Sequence, residues 1–505
     1  MFAKQNDLAG QSLVPTMLPM NLANTLIDSV RRYPDKTAIY WGEVEISYTE
    51  LLGQSEWVKR YLMDVCEIQP GDRVALWMKN TPEFVSILFG ALRAGAVVVP
   101  LNHFLTASEA SFMLQDSGAK MVFVDDSLLE AALKVRGTLK DLGICRLNEL
   151  GVDHSELDKV VQSDLPKNNQ DLALITYTSG TTGRPKGAML SHGNLRHNVV
   201  SCEHSMQTIE NDKVALLLPM FHSFMVTVGI LLPVKIGGSI VLIKSLHPPK
   251  NILNEIIATQ AIVMPAVPQF YRAFAAAPLP ELPLRLCISG AAPLPMEVLK
   301  RFNQQSNLSL IESYGLSEAS PVVTLNPIVG PWKVGSIGLP VHDVCVAIMD
   351  SQGNEMPVGQ TGELWVRGGN VMLGYWNRPK ATAETLQDGW LKTGDMGHAD
   401  EEGYLYVTDR KKDMLLVNGI NVYPREIEEL IYQFKGVKEA SVVGQEDQRK
   451  GERPVAFVVL EEGFVEDPVA LQDFLKPNLA GYKIPRKINY IENLPRNATG
   501  KVLKT

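Results

Sequence analysis

The chain has 505 residues, of which 45% are apolar and 21% charged, the make-up of an ordinary globular protein with a sizeable core and room for about two to four domains. A formal charge of −8 argues against a nucleic-acid binder, whose footprint is basic. The five cysteines, at 66, 145, 202, 287 and 345, lie far apart with no CxxC, which excludes a disulfide framework and a zinc site and suits a reducing, cytoplasmic setting.

The opening residues, MFAKQNDLAGQSLVPTMLPM, lack a basic start followed by an apolar core, so no signal peptide is expected. The most apolar stretches are FVSILFGALRAGAVVVPL and VTVGILLPVKIGGSIVLI. Each is broken by a charge and by Gly or Pro, so each divides into a helix and a strand and no integral membrane segment is expected. Peripheral membrane contact stays open. In the first stretch, Thr81 reads as an N-cap with Pro82 at the first helical position. Phe84, Ile87, Leu88, Ala91 and Leu92 follow at helical spacing, and Gly95 ends the helix. VVVPL reads as a buried strand. Thr106 and Glu109 then form a capping box, leading through a helix to Gly118 and a second strand, MVFVDD. The alternation recurs around Ile262–Pro265 and Leu284–Ser289. Repeated βα units imply an α/β protein of parallel-type sheets with flanking helices, with binding sites at the carboxyl ends of strands.

At one such end, after the apolar LALI at 172–175, stands YTSGTTGRPKG at 177–187. A loop of Gly, Ser and Thr leaving a buried strand offers amides and hydroxyls to an anion, most often phosphate, and Arg184 and Lys186 add positive charge. A flexible linker is the competing reading of such composition. Walker A is disfavoured, because Lys186 is followed by Gly187 rather than Ser or Thr.

From about Val329 the chain turns rich in β-formers and glycines, in WKVGSIGLPV, DVCVAIMDSQG and TGELWVRGGNVMLGYW. This predicts a β-structured subdomain at about 330–408, completing a large N-terminal domain over 1–408. The charged DRKKD predicts a hinge at 409–412. Helix PREIEELIYQF, strands EASVVGQ and RPVAFVVL, and helix VALQDFLKPNL then predict a small, mobile α+β domain over 413–505.

Taken in order, YTSGTTGRPKG (177–187), LPMFHSF (218–224), SGAAPL (289–294), YGLSEAS (314–320), TGD (393–395), DRKKDMLLVNGINVYPREIE (409–428) and PRNATGK (495–501) make the chain resemble the adenylate-forming superfamily of acyl- and aryl-CoA synthetases, adenylation domains and luciferases. Among these it is most like the fatty acyl-CoA ligases. The resemblance runs from about Leu22 to Lys501. It implies that a carboxylate attacks the α-phosphate of Mg-ATP and that coenzyme A then displaces AMP. The protein's task is to neutralise charge where two anions meet.

The resemblance also assigns residues. Thr178, Ser179, Gly180, Thr181, Thr182, Gly183 and Lys186 would clasp the β- and γ-phosphates. Thr178 and Glu318 would hold Mg2+, in the mode of one carboxylate shared with substrate phosphates. Tyr314 would stack on adenine beside Gly290, Ala291 and Ala292, with Gly315 and Ser317 in the same nucleotide motif. Ser317 replaces the commoner Thr, and Glu312 and Ser313 stand where Gln-Gly is usual. Asp395 and Arg410 would hold the ribose hydroxyls. His222 would position the carboxylate substrate or gate its pocket, without acting as a base, since a carboxylate is already ionised. Lys501 would reach from the small domain to the carboxylate and α-phosphate, Lys412 would be the hinge, and Gly419 would border the thiol tunnel.

The acyl pocket is expected from VTVGILLP, from MPAVPQFY (264–271) and around Leu316 and Val322. These segments carry no Asp, Lys or Arg to hold an amino acid's amine, so a medium- or long-chain fatty acid is expected, with an aryl acid as the alternative. Loading of a carrier protein, luciferase-like oxygenation and nonenzymatic ATP sensing compete less well. The expected partners are thus small molecules (acid, ATP and coenzyme A), and the expected assembly is a monomer or homodimer.

Overall fold

A computed structural model describes residues 21–504 apart from 156, 163–164, 166–167, 179–183, 277, 419, 448–450 and 497–501. Two large sheets carry the first three-quarters of the chain. One has nine strands, in the order Leu339–Pro340, Val322–Leu325, Leu310–Gly315, Leu286–Ser289, Val263–Ala266, Lys213–Leu216, Ser239–Leu242, Thr37–Trp41 and Val44–Ser47. From Leu310–Gly315 to Thr37–Trp41 all pairings are parallel, and the outer strands are antiparallel. The other has seven, in the order Gly374–Tyr375, Lys186–Ser191, Leu172–Thr178, Val97–Leu101, Arg73–Trp77, Ala119–Val124 and Gly143–Arg146. The central parallel strands Val97–Leu101, Ser239–Leu242 and Val263–Ala266 are buried at every position, as expected of strands covered on both faces. The α/β expectation therefore holds.

Local signals account for several elements. The helix Ala107–Ser117 opens on a complete capping box between Thr106 and Glu109 and closes on Gly118 at φ 63°, a left-handed position that glycine adopts without strain. The helix Pro82–Arg93 starts at Pro82 as expected, but Thr81 accepts no capping hydrogen bond, and its hydroxyl is buried without a partner. Pro82 already fixes the entry angle, and the helix is stabilised instead by burial of Phe84, Val85, Ile87, Leu88 and Phe89. One core joins the two large sheets, including Leu88, Leu174, Leu190, Leu216, Ile288 and Val323.

Past residue 340 the expected β-structure appears as a five-stranded antiparallel sheet built on Val344–Met349, Gly362–Gly368, Trp390–Ala399, Leu386–Gln387 and Leu405–Arg410. A further five-stranded sheet, Ile420–Val422, Leu415–Val417, Gly451–Leu460, Val437–Asp447 and Lys487–Tyr490, packs with the helices Pro424–Ile431 and Pro468–Leu475 around its own core of Leu415, Val422, Ile427, Val442, Val458 and Leu471. Among the described residues no helix is long and apolar enough to cross a membrane.

Candidate active site

The strands Leu172–Thr178 and Lys186–Ser191 form an antiparallel hairpin whose last rung pairs Thr178 with Lys186. Those two residues therefore face each other at the mouth of the glycine- and threonine-rich loop. Ser179, Gly180, Thr181, Thr182 and Gly183 themselves lie outside the described residues. Next to the mouth the hairpin is anchored through Asp116, whose carboxylate accepts the Tyr177 hydroxyl at 2.8 Å and pairs with Arg378 at 2.7 Å. Arg184 lies over the ring of Phe112, and Lys186 places its ammonium 5.1 Å from the ring centroid of Tyr375, within cation–π range.

Across from the hairpin, the strand Leu310–Gly315 runs into a tight turn that carries Ser317 and Glu318. A Cβ on Gly315 would lie 2.1 Å from the carbonyl oxygen of Pro321, so only glycine lets the turn fold back to form its Leu316 N–H to Pro321 O bond of 3.0 Å. The turn is then fastened from outside. Met372 N–H donates to Glu318 O at 2.9 Å, Ser320 Oγ to Asn370 O at 2.7 Å and Thr227 Oγ1 to Ser320 O at 2.7 Å. Thr227 sits in a π-helical stretch, Met225–Leu231, a geometry found often beside functional sites.

This framework brings Glu318 to the hairpin mouth. Its Oε1 accepts the phenol of Tyr375 at 2.9 Å and lies 3.5 Å from Thr178 Oγ1. Burial, and then the neighbouring Glu318 charge, raise the Tyr375 pKa, so the phenol stays protonated and donates. A carboxylate and a threonine hydroxyl thus meet at the hairpin mouth, with the Lys186 ammonium against the same tyrosine ring, and the hard oxygen donors suit a divalent cation held jointly with phosphate. Ser317 Oγ shares a 2.9 Å hydrogen bond with Ser223 Oγ.

Four residues before Glu318, Tyr314 donates a 2.5 Å hydrogen bond to Asp395 Oδ2, and Arg410 Nε lies 3.3 Å from Asp395 Oδ1. Asp395 and Arg410 are direct cross-strand partners, which explains how residues from two separate motifs meet. Burial, and then the Asp395 charge, hold the Tyr314 pKa well above its ordinary value. Beside this group the strand Leu286–Ser289 leads into Gly290, Ala291 and Ala292. Ala291 takes a left-handed φ of 63°. A Cβ on Gly290 would meet the Phe224 ring at 3.2 Å.

Phe224 connects the site to His222 and to an apolar cavity. Its backbone N–H donates to His222 Nδ1 at 3.3 Å, which leaves the proton of a neutral ring on Nε2. Enclosure by protein lowers the His222 pKa to about 4, in keeping with a neutral ring that performs no base chemistry. The cavity behind Phe224 is lined by Cys202, Met206, Val228, Ile288, Val322 and Leu325, among others, and its ≈ 10 Å³ of free space holds about one water. Val228 and Val322 were expected there. Met264 and Ala266 instead belong to a separate core beneath the nine-stranded sheet, because side chains alternate along the strand Val263–Ala266, and Tyr271, on the helix Pro268–Phe274, joins the same core.

Of the remaining expected residues, Lys412 lies beside Asp413, 3.8 Å away, and joins neither polar group. Gly419 and Lys501 lie outside the described residues. Sequence reasoning missed Tyr375, the link between Glu318 and Lys186, and Asp116, the anchor of the hairpin. Tyr375 stands in a two-residue strand that pairs with Lys186–Ser191, a contact that no local periodicity announces.

Comparison with known proteins follows the same lines. The family model described as AMP-binding enzyme matches residues 26–376, and that described as AMP-binding enzyme C-terminal domain matches 426–501. A long-chain-fatty-acid–CoA ligase of Bacillus subtilis (strain 168) is 34% identical, over 97% of this chain and 95% of its own. A feruloyl-CoA synthase of an Amycolatopsis species is 36% identical, over 97% and 98%. Among solved structures, ATP-bound MatB from Rhodopseudomonas palustris superposes with a TM-score of 0.87 at 31% identity, covering 96% of this chain and 97% of that one. The anthranilate CoA ligase AuaEII, in complex with anthranoyl-AMP, gives 0.88 at 26% identity, with 97% of each chain covered.

Proposed function

The chain belongs to the AMP-binding enzyme family and is an ATP-dependent acid–thiol ligase working through an acyl-adenylate; from that premise we propose that its acid is a medium- or long-chain fatty acid and that Mg2+ accompanies the nucleotide. In the first half-reaction a carboxylate oxygen bonds to the α-phosphorus as the bond to pyrophosphate breaks. In the second, the coenzyme A thiol, losing its proton, bonds to the acyl carbon and AMP leaves.

The residues divide accordingly. Thr178 and Lys186, opposed at the hairpin mouth, would receive the β- and γ-phosphates together with Ser179, Gly180, Thr181, Thr182 and Gly183. Glu318, with Thr178 3.5 Å away, would hold Mg2+, whose charge offsets that of the phosphates. Asp395 and Arg410 take the ribose hydroxyls, and Tyr314 and the Gly290–Ala292 turn take the base. His222, neutral and backed by Phe224, lies beside the carboxylate. Lys501 supplies the charge that stabilises the forming adenylate, Lys412 is the hinge about which the small domain (413–505) turns against the large one (1–408), and Gly419 leaves room for the pantetheine arm. The described cysteines, all free, support a cytoplasmic setting.

The observation that carries the fatty-acid reading is the cavity behind Phe224, whose lining has no charged side chain. An alkyl chain gains free energy there in proportion to the apolar area removed from water, and with ≈ 10 Å³ free the lining side chains must move apart to admit it. A second reading, an aryl acid, is supported by the likeness to a feruloyl-CoA synthase. Acid-dependent ATP–pyrophosphate exchange with hexanoate, dodecanoate, hexadecanoate, benzoate and ferulate, followed by thioester formation with coenzyme A, separates the two. Fastest turnover with dodecanoate or hexadecanoate supports the fatty acid, and fastest turnover with benzoate or ferulate overturns it.

A further inference from the structure

Glu439, on the strand Val437–Asp447, is gripped at both carboxylate oxygens by arginines from distant parts of the chain. Oε1 lies 2.8 Å from Arg272, in the helix Pro268–Phe274, and Oε2 lies 2.7 Å from Arg496. The three side chains are only 12%, 21% and 25% exposed, respectively Glu439, Arg272 and Arg496, so this is no loose surface pair of the kind that contributes little. Arg272 follows the strand Val263–Ala266 of the nine-stranded sheet, whereas Glu439 and Arg496 belong to the C-terminal unit. One carboxylate therefore joins the two units.

Arg496 occupies a particular place. It forms an antiparallel bridge with Val502, and Leu503 N–H donates to Pro495 O at 2.9 Å. These contacts draw together the two chain ends that flank 497–501. On the far side, Lys504 pairs with Glu428 at 2.8 Å, and Glu428 also accepts Val442 N–H at 2.7 Å. The terminal segment is thus tied to its own unit at Glu428 and Glu439, and Glu439 ties it to the large unit as well.

We propose that Glu439 is a positioning residue for the adenylate-forming half-reaction. It fixes the base of the segment that carries Lys501 against the helix bearing Arg272. The inference rests on the reading that Lys501 acts in that half-reaction. Without the carboxylate, two guanidiniums of like charge face each other across the junction, and the orientation that brings the terminal segment to the large unit is disfavoured. Attack of the thiol on a preformed adenylate makes no use of Lys501 and is spared.

The test uses the full-length protein with whichever of the five acids exchanges fastest, and with its synthetic adenylate. E439Q is expected to lower acid-dependent ATP–pyrophosphate exchange by roughly tenfold to a hundredfold, the scale of a small misplacement of a reacting group. Thioester formation from the supplied adenylate should be unchanged, and E439D should recover part of the exchange. In a K501A background E439Q should lower exchange no further, because it acts through that lysine. Undiminished exchange in E439Q, an equal fall in both half-reactions with a lowered Tm, or an undiminished E439Q effect in the K501A background would each overturn the inference. K501A alone reports on the underlying reading. If it leaves exchange intact, that reading fails; if it abolishes exchange while E439Q does nothing, only the inference about Glu439 fails.

Discussion

The phenol of Tyr375 donates a 2.9 Å hydrogen bond to Glu318 Oε1, and the ring of the same tyrosine lies 5.1 Å from the Lys186 ammonium. One side chain thereby orients both the carboxylate and the cation of the site. Groups that orient a metal-holding carboxylate typically matter about tenfold to a hundredfold in metal affinity or activity. Tyr375→Phe keeps the ring and removes the donor. It should raise the Mg2+ concentration for half-maximal pyrophosphate exchange about tenfold, with little change in Tm. A Mg2+ titration that superposes on the wild type would show that Glu318 needs no such support.

Gly315→Ala tests the turn itself. The added methyl would collide with Pro321 O, at 2.1 Å, and the turn must open to relieve it. The expected cost is about 1–3 kcal/mol of stability, typical of forced overpacking, together with loss of nucleotide-dependent stabilisation as Glu318 moves. Thermal unfolding with and without ATP reads both. A variant that still gains the full ATP-dependent rise in Tm would mean that the turn tolerates a side chain.

How far the site could be read from sequence follows from the range of each interaction. The Thr106–Glu109 capping box and the Gly118 stop are contacts within a few residues, and they form as expected. Thr178, Glu318, Asp395 and Arg410 stood out through their motifs, and the fold brings each to a partner. Thr81 stands at the N-cap before Pro82 as expected but makes no capping bond, because burial of the whole helix outweighs one such bond. Tyr375 reaches Glu318 only through an edge-strand pairing, and Cys202 and Met206 reach the cavity from the helix His192–Met206. Neither tertiary arrangement leaves a local pattern in sequence. The apolar run at 264–271 signalled burial but not which face of the sheet each residue would take.

On the proposed reading, Lys501→Ala removes a cation that stabilises the forming adenylate. Loss of a donor of this kind costs about 2.7–4 kcal/mol of barrier, so exchange should fall by about a hundredfold or more. Thioester formation from supplied adenylate should remain near the wild-type rate. An equal loss in the two half-reactions would refute the assignment.

His222 bears on the pH profile. Enclosure lowers its pKa to about 4, so the ring is neutral from pH 5 to 8 in the folded protein. Its folded pKa lies below the ordinary value near 6.5, so its contribution to stability is present above that value and is lost as pH falls toward 4. His222→Gln should alter KM for the acid while leaving the shape of the pH–rate profile between pH 5.5 and 7.5 unchanged. Disappearance of a limb near pH 6.5 in the variant would show that the ring titrates during turnover.

Glu312 carries the opposite shift. Burial pushes its carboxyl up to about 7, against the pull of Arg425 4.0 Å away and the Leu294 N–H that donates to its Oε1 at 3.1 Å. The folded state therefore holds a proton on this group that the unfolded chain releases near pH 4.5. Stability from the proton is complete below that pH and is lost as pH rises through about 7. Glu312→Gln imitates the protonated form at every pH. Its stability should lie within about 1 kcal/mol of the wild type at pH 5 and exceed it at pH 8 by on the order of 3 kcal/mol, since the rise from 4.5 to about 7 is converted at about 1.4 kcal/mol per pKa unit. Thermal unfolding of both proteins from pH 5 to 8 checks this. A variant less stable than the wild type at pH 8 would mean that Arg425, on the helix Pro424–Ile431, keeps Glu312 ionised, and that this ion pair joins the C-terminal helix to the nucleotide strand.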